Sequence, residues 1–279
     1  MIGDDPRQAG LLDAIVAATR TVVASRRART PIAEVSRLAE RRSPRGRAFH
    51  DALSRRDCVN IIAECKRRSP AKGVLVRRYD PAAIARTYAA AGASAISVLT
   101  EPMFFDGALA HLEAVRAAVD LPVLRKDFIV DEYQLVEARA SGADAVLLIV
   151  AALPRTALMR LSGRAGELGL AALVEVHSAD ELSRAVAAGA SIIGVNSRSL
   201  RTLDVDLTVC EKLASSIPRG VVAVAESGIR TASEVQHLRS CGYGAFLIGE
   251  RLMTASDVPE AFDALRGGLD AGIATGRSA

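Results

Sequence analysis

Val59-Asn60-Ile61-Ile62-Ala63-Glu64 is a short apolar run that stops on a carboxylate, and seven runs of similar construction follow it along the chain. They occupy residues 95–99, 121–124, 145–150, 171–174, 192–195, 221–225 and 245–248, separated by helix-like stretches. In order, they end at or within two residues of Thr100, Lys126, Ala151, Glu175, Asn196, Glu226 and Gly249. Continuous β-branched and aliphatic runs of this length are what the strands of a buried parallel sheet look like. Eight such units predict an α/β fold, a closed (β/α)8 TIM barrel. In that fold the carboxyl ends of all strands converge on one face, so groups scattered from residue 64 to residue 250 should surround a single pocket. The pattern reads as an enzyme.

The repeat runs from about residue 59 to residue 269 of the 279-residue chain and leaves no internal boundary. We expect an N-terminal helical extension over residues 1–58 and one barrel over residues 59–279. With 50% apolar residues, 4% aromatics and no Trp, the core should be built of aliphatic side chains. No apolar stretch nears the roughly 18 residues that span a bilayer, and the start of the chain, with Asp4 and Asp5, shows no signal-peptide pattern. The expected location is cytoplasmic, without a membrane. Cys58, Cys65, Cys210 and Cys241 have no metal-ligand spacing and no neighbouring His at the strand ends, so we read them as small apolar residues in a reducing compartment. No metal is expected. The net charge of +4 arises from the first 50 residues, which hold ten Arg against five acidic residues, whereas the remainder is near neutral with 26 basic and 27 acidic residues. A basic segment without interleaved aromatics does not make a nucleic-acid grip, and no nucleic-acid partner is expected.

The 36 basic residues divide into 32 Arg and four Lys, namely Lys66, Lys72, Lys126 and Lys212. Arg stays protonated at any working pH, whereas a Lys pKa responds to its surroundings, so Lys is the residue to place where a proton must move. Lys66 follows the first predicted strand and Lys126 the third. Either could be an ordinary charge at a strand exit, but three neighbours argue for chemistry. Side-chain alternation lets Lys126 face the barrel mouth above Leu124 while Arg125 and Asp127 turn toward the helical layer. Glu175 closes an apolar run, a setting expected to raise its pKa toward neutrality. Glu64 and Lys66, two residues apart, share one face, as a catalytic pair or a structural ion pair would. Loops after strands seven and eight often bind phosphate in such barrels, and here they read Glu226-Ser227-Gly228-Ile229 and Gly249-Glu250-Arg251-Leu252-Met253. Their glycines let backbone approach an anion, or serve only to make tight turns.

At these residues the sequence resembles the indole-3-glycerol phosphate synthase family. The resemblance covers nearly the whole chain. It rests on residues 61–70, from Ile61 through Glu64, Lys66 and Ser69 to Pro70, with Lys72-Gly73. Further matches are Ser97-Val98-Leu99-Thr100-Glu101-Pro102 with Phe105 and Gly107, and residues 121–129 around Arg125-Lys126-Asp127-Phe128. It continues through Leu173-Val174-Glu175-Val176-His177, residues 194–200 around Asn196 and Arg198, Glu226-Ser227-Gly228-Ile229 and Ile248-Gly249-Glu250. The stripe Leu11, Leu12, Ile15, Val16, Thr19 and Val23 is similar to the family's extra helical segment, which packs over the barrel mouth.

The resemblance implies a phosphorylated small-molecule substrate, 1-(2-carboxyphenylamino)-1-deoxyribulose 5-phosphate, closed to an indole with loss of carbon dioxide and water in tryptophan biosynthesis. By the family's pattern Lys126 is the acid at the sugar carbonyl and Glu175 its partner. Glu64 and Lys66 serve the later proton transfers, and Asn196 orients hydroxyls or catalytic groups. Arg198 would hold the anthranilate carboxylate, with Phe105 and Phe128 flanking the ring. Ser227, Gly228, Gly249 and Glu250 would bind phosphate, and Ser69 and Glu226 complete the matched set. No cofactor is implied, since the chain has no dinucleotide fingerprint. Association with other tryptophan-pathway enzymes is compatible with the resemblance. The chain departs from many relatives at Ser197 and Arg251, the latter adding a cation beside the expected phosphate site. Phosphoribosylanthranilate isomerase would share the phosphate loops but needs no second lysine at the mouth. A non-catalytic barrel would not need to keep Lys126 and Glu175.

Overall fold

The computed structural model describes residues 10–268. Residues 1–9, with Asp4 and Asp5, and residues 269–279, assigned above to the extension and the end of the barrel, lie outside the described residues. Among the described residues there are ten strands: β1 (Asn60–Cys65), β2 (Arg68–Ser69), β3 (Gly73–Val74), β4 (Ala95–Leu99), β5 (Val123–Lys126), β6 (Ala145–Ile149), β7 (Ala171–Val176), β8 (Ile192–Asn196), β9 (Val222–Glu226) and β10 (Ala245–Ile248). Eight of them close in the order β1-β10-β9-β8-β7-β6-β5-β4, all parallel, with β4 returning to β1. Each apolar run of the sequence is one barrel strand. β2 and β3 form a separate antiparallel hairpin in the loop after β1, too short for periodicity to show.

Alternation along the strands sorts the core into two layers. Ile62, Leu124, Leu147, Leu173, Val224 and Leu247 fill the barrel, whereas Ile61, Ala63, Cys65, Val98 and Val174 face the helices. Cys65 therefore points away from the mouth, and burial pushes its thiol well up. Arg125 also lies outside the barrel, wholly buried, with Nη2 2.8 Å from Asp127 and 3.0 Å from Glu137 and Nη1 donating to the Gln134 carbonyl at 2.8 Å. Among the described residues, no helix is long and apolar enough to cross a membrane.

Among the described residues, three helices precede β1: α1 (Leu11–Arg29), α2 (Ile32–Glu40) and α3 (Gly46–Leu53). Ile15, Val16, Thr19 and Val23 of α1 are buried, and Leu11, Leu12 and Ile15 reach the cavity at the barrel mouth. Arg26 ties α1 to Glu137 at 3.1 Å. The rest of the extension does not lie over the mouth. Helix α2 packs along the helix Glu132–Ala140, and α3 closes the opposite end of the barrel. There Phe49 and Leu53 are fully buried among Ala95, Ala145 and Ala245, whose small side chains at the strand starts leave room for them. A side chain at Gly46 would come within 2.6 Å of the backbone of Gly169 and Ala171, so α3 can approach only with glycine at that point.

Asn60 fastens this closure. Fully buried at the start of β1, its Nδ2 donates to the carbonyls of Leu53 (3.1 Å), Arg55 (2.8 Å) and Gly244 (2.8 Å), joining α3, the following turn and the start of β10. Asn60→Ala strips the donor from buried carbonyls and should lower unfolding stability by about 2–3 kcal/mol in urea titrations, with turnover little changed. A loss below about 0.5 kcal/mol would show that the closure does not depend on this amide.

Candidate active site

A cavity of about 560 Å³ opens at the carboxyl ends of the barrel strands. It is lined by all the residues singled out above: Glu64, Lys66, Ser69, Phe105, Lys126, Phe128, Glu175, Asn196, Arg198, Glu226, Ser227, Gly228, Gly249 and Glu250. Strand register explains the convergence. Glu175 lies beside Gly194, Asn196 beside Glu226 and Lys126 beside Leu99, so the polar strand ends stand at similar heights around the barrel.

Lys126 is the focus. Its Nζ lies 3.0 Å from Oε2 of Glu175 and 3.1 Å from Oε2 of Glu226. The Nδ2 of Asn196 donates to Oε1 of Glu175 at 3.1 Å, and the Arg198 backbone N–H donates to Oδ1 of Asn196 at 2.9 Å, which orients that amide. Across the barrel Lys66 Nζ stands 2.6 Å from Oε1 of Glu64. The cavity therefore holds two amine and carboxylate sets, with the carboxylates of Glu64, Glu175 and Glu226 buried.

The electrostatics differ from the sequence expectation at Glu175. Burial would raise its carboxyl, but the Lys126 and His177 charges and the hydrogen bonds from Asn196 and Lys126 outweigh it and hold it down at about 2. The raised carboxyl is Glu226. Burial dominates there, the Lys126 ammonium counters it only in part, and the Glu175 and Glu64 charges add to the rise, to about 7. Glu175 has two hydrogen-bond donors while the Glu226 oxygens have only the ion pair, so the shared negative charge rests on Glu175. Burial opposes charge on Lys126 as well, yet Glu175, Glu226 and Glu64 outweigh it and keep the ammonium strongly protonated. Lys126 is thus held in its charged form, with a proton to give, rather than being an amine neutralised by burial.

Two glycines make room for this cluster. A side chain at Gly194 would lie 2.0 Å from Oε1 of Glu226, and one at Gly249 would lie 2.3 Å from Oε1 of Glu64. Gly249 was expected only at the phosphate loop, and Gly194 was not singled out. A lone glycine inside the run Ile192-Ile193-Gly194-Val195 was the available signal, since it marks close approach by another group. His177, two residues past Glu175, was likewise passed over as a functional group, although alternation puts both side chains on one side.

One wall of the cavity is apolar. Phe105 and Phe128 stand with ring centroids 6.2 Å apart at 36°, next to Leu11, Leu12 and Ile15. The opposite rim holds the loops after β9 and β10. Ser227 has φ 68°, a left-handed conformation costly for a side-chain-bearing residue, and is followed by Gly228 at φ 79°. A helical turn, Glu250–Met253, follows Gly249. The Glu250 carboxylate faces Arg198 at 3.6 Å, Arg230 at 3.7 Å and Lys72 at 3.9 Å, and Arg251 also lines the cavity. Ser197 faces away from the mouth, with its hydroxyl 3.2 Å from the Cys210 sulfur.

The family model described as indole-3-glycerol phosphate synthase matches residues 12–265. A Beutenbergia cavernae protein named indole-3-glycerol phosphate synthase is 50% identical over 244 residues, 88% of this chain and 90% of that protein. One from Streptomyces coelicolor, named indole-3-glycerol phosphate synthase 1, is 48% identical over 269 residues, 96% of this chain and 99% of that protein. Among solved structures, a thiamine phosphate pyrophosphorylase from Pyrococcus furiosus aligns with a TM-score of 0.59 at 19% identity, covering 81% of this chain and 98% of that one, a likeness of fold alone.

The raised Glu226 carboxyl links stability to pH. Unfolded Glu226 ionises near 4.5, whereas in the folded protein it keeps its proton to about 7, so folding is penalised progressively between these values and fully above them. Glu226→Gln carries no such penalty. Denaturant unfolding should show the variant gaining on the parent between about pH 5 and about pH 8, and a constant difference would mean that Glu226 ionises alike in both states.

Proposed function

The chain belongs to the indole-3-glycerol phosphate synthase family, and on that ground we propose that this cavity closes the indole ring of 1-(2-carboxyphenylamino)-1-deoxyribulose 5-phosphate with loss of carbon dioxide and water. The observation that carries the division of labour is the Lys126 ammonium held between Glu175 and Glu226. In the first step the ring carbon bearing the carboxylate attacks the C2 ketone of the sugar chain. Lys126 donates its proton to the ketone oxygen as that bond forms, and the ionised Glu175 stabilises the positive charge developing on the anilino nitrogen. Departure of carbon dioxide returns the electron pair to the ring. The C2 hydroxyl then leaves as water, taking one proton from an acid while a base removes another from the substrate. We assign this dehydration to Lys66 and Glu64, already paired at the mouth.

Binding follows from the two walls. The Phe105 and Phe128 rings and the α1 side chains receive the aromatic ring, and Arg198 receives its carboxylate. Phosphate lies at Ser227, Gly228, Gly249 and the Glu250 backbone, with Ser69 at the rim. Asn196 holds Glu175 in place, and Glu226 bears on the Lys126 charge from the other side. The free thiols of Cys65, Cys210 and Cys241 suit a cytoplasmic setting.

Mixing the purified protein with this substrate, without metal or nucleotide, should give rising indole fluorescence. Lys126→Ala should lower turnover by roughly a hundredfold or more, the scale of a positioned acid, and a fall of less than about fivefold would remove Lys126 from that role. No fluorescence from folded parent protein would leave the barrel intact as a structure and overturn the ring-closure reading.

A further inference from the structure

His177 follows β7 two residues beyond Glu175, and its ring lies between two carboxylates. Glu181, in the first turn of the helix Ala179–Ala187, accepts from the His177 backbone N–H at 2.8 Å, and its same oxygen stands 3.3 Å from Nδ1. This fixes the ring. Its Nε2 is thereby aimed at Oε1 of Glu175, 3.4 Å away, buried and without another hydrogen-bond partner. The ring does not line the substrate cavity, so it reaches the chemistry only through Glu175.

We propose that His177 is a positioning residue for the ring-closing reaction, sharing one proton with Glu175 across the Nε2–Oε1 contact. Because Glu181 takes the Nδ1 proton, a neutral ring would present the Nε2 lone pair to a carboxylate oxygen, which is repulsive. A proton between them removes the repulsion. When it resides on Nε2, Glu175 stays ionised and turned so that Oε2 remains on Lys126 and Oε1 accepts from both Asn196 and His177. The groups bearing on the ring are Glu175 of β7, Glu181 of the following helix and Glu226 of β9, with Lys126 of β5 and Asn196 of β8 reaching it through Glu175. Burial disfavours the charged ring, but the Glu181 hydrogen bond and the Glu175, Glu181 and Glu226 charges outweigh it and lift the ring above its ordinary value of 6.5.

The inference rests on Glu175 acting as assigned above. As pH rises through the His177 ionisation the proton leaves, Oε1 loses a donor, and turnover should fall, giving an alkaline limb. His177→Leu should lower kcat about tenfold or more with KM unchanged, because a small misplacement of a reacting group costs rate. His177→Gln, which can still donate to Oε1, should restore much of kcat but show no such limb. Glu181→Gln should move the limb to lower pH. His177→Leu with parental kcat, or His177→Gln with the parental limb, would overturn the proposal. Should the Leu variant fail to fold, proton NMR of the imidazoles in the full chain decides. The His177 midpoint should lie above 6.5 and drop in Glu175→Gln, and an unmoved midpoint would overturn the sharing. Parental turnover in Glu175→Gln would instead refute the role of Glu175 while leaving the proton-sharing result standing.

Discussion

A buried ammonium held between two buried carboxylates sets the terms for the rest of this structure. Taking three charges out of water costs several kcal/mol per ion unless geometry and additional hydrogen bonds compensate. The Lys126 cluster is compensated unevenly. Glu175 has Lys126 on one oxygen and Asn196 on the other, whereas Glu226 has the ammonium alone. The imbalance separates two chemically identical side chains, one held ionised near 2 and the other still protonated up to about 7. Such a division between neighbouring titratable groups lets one pocket run acid and base steps at the same pH.

The fold supplies the rigidity that this arrangement requires. Each charged group stands at the end of a strand whose neighbours are fixed by parallel pairing on both sides, so the cluster cannot relax by moving its backbone. Space is supplied as deliberately as charge. Gly194 and Gly249 leave the volumes that the Glu226 and Glu64 carboxylates fill. At the opposite end, Phe49 and Leu53 of α3 close the barrel, and the ring of inward aliphatic side chains between α3 and the mouth keeps water from reaching the cluster from below. Arg125 has the reverse task. Pointing outward, it joins β5 to the helical layer through Asp127, Glu137 and the Gln134 carbonyl, and so steadies the strand that carries Lys126.

Strand positions and the residues at their ends were legible in the sequence because burial on both faces leaves continuous apolar runs, and a chemical group must interrupt them. Lys126 stood out because this chain uses Arg wherever it needs only a charge. The direction of the Glu175 ionisation was not legible. It depends on how many donors and charges approach one carboxylate, and those come from β5, β8 and the residue after β7, up to 70 positions apart by the numbering from Lys126 to Asn196. Local apolar context shows burial, the effect that loses at Glu175 and wins at Glu226. Helix α3 escaped for a related reason: nothing in its amphipathic pattern says which end of the barrel its Phe49 and Leu53 will enter. The hairpin β2–β3 has two residues per strand and no period to detect.

The charge balance at the mouth bears on substrate entry. The site gathers Lys72, Arg198 and Arg230 around the Glu250 carboxylate, at 3.6 to 3.9 Å, beyond direct hydrogen-bonding distance. A substrate carrying a carboxylate and a phosphate brings anions better matched to these cations than Glu250 is, because Arg198 can then form a paired, charge-assisted contact in place of a loose one. Deeper in the barrel the position is reversed. Lys126 is already saturated with carboxylates, so the substrate's anions are steered to the rim and only its neutral carbonyl is left to approach the ammonium. On the proposed binding mode, rim cations with only loosely placed carboxylates and a core cation with two close ones would sort the substrate's charged ends from its reacting centre before any bond is made.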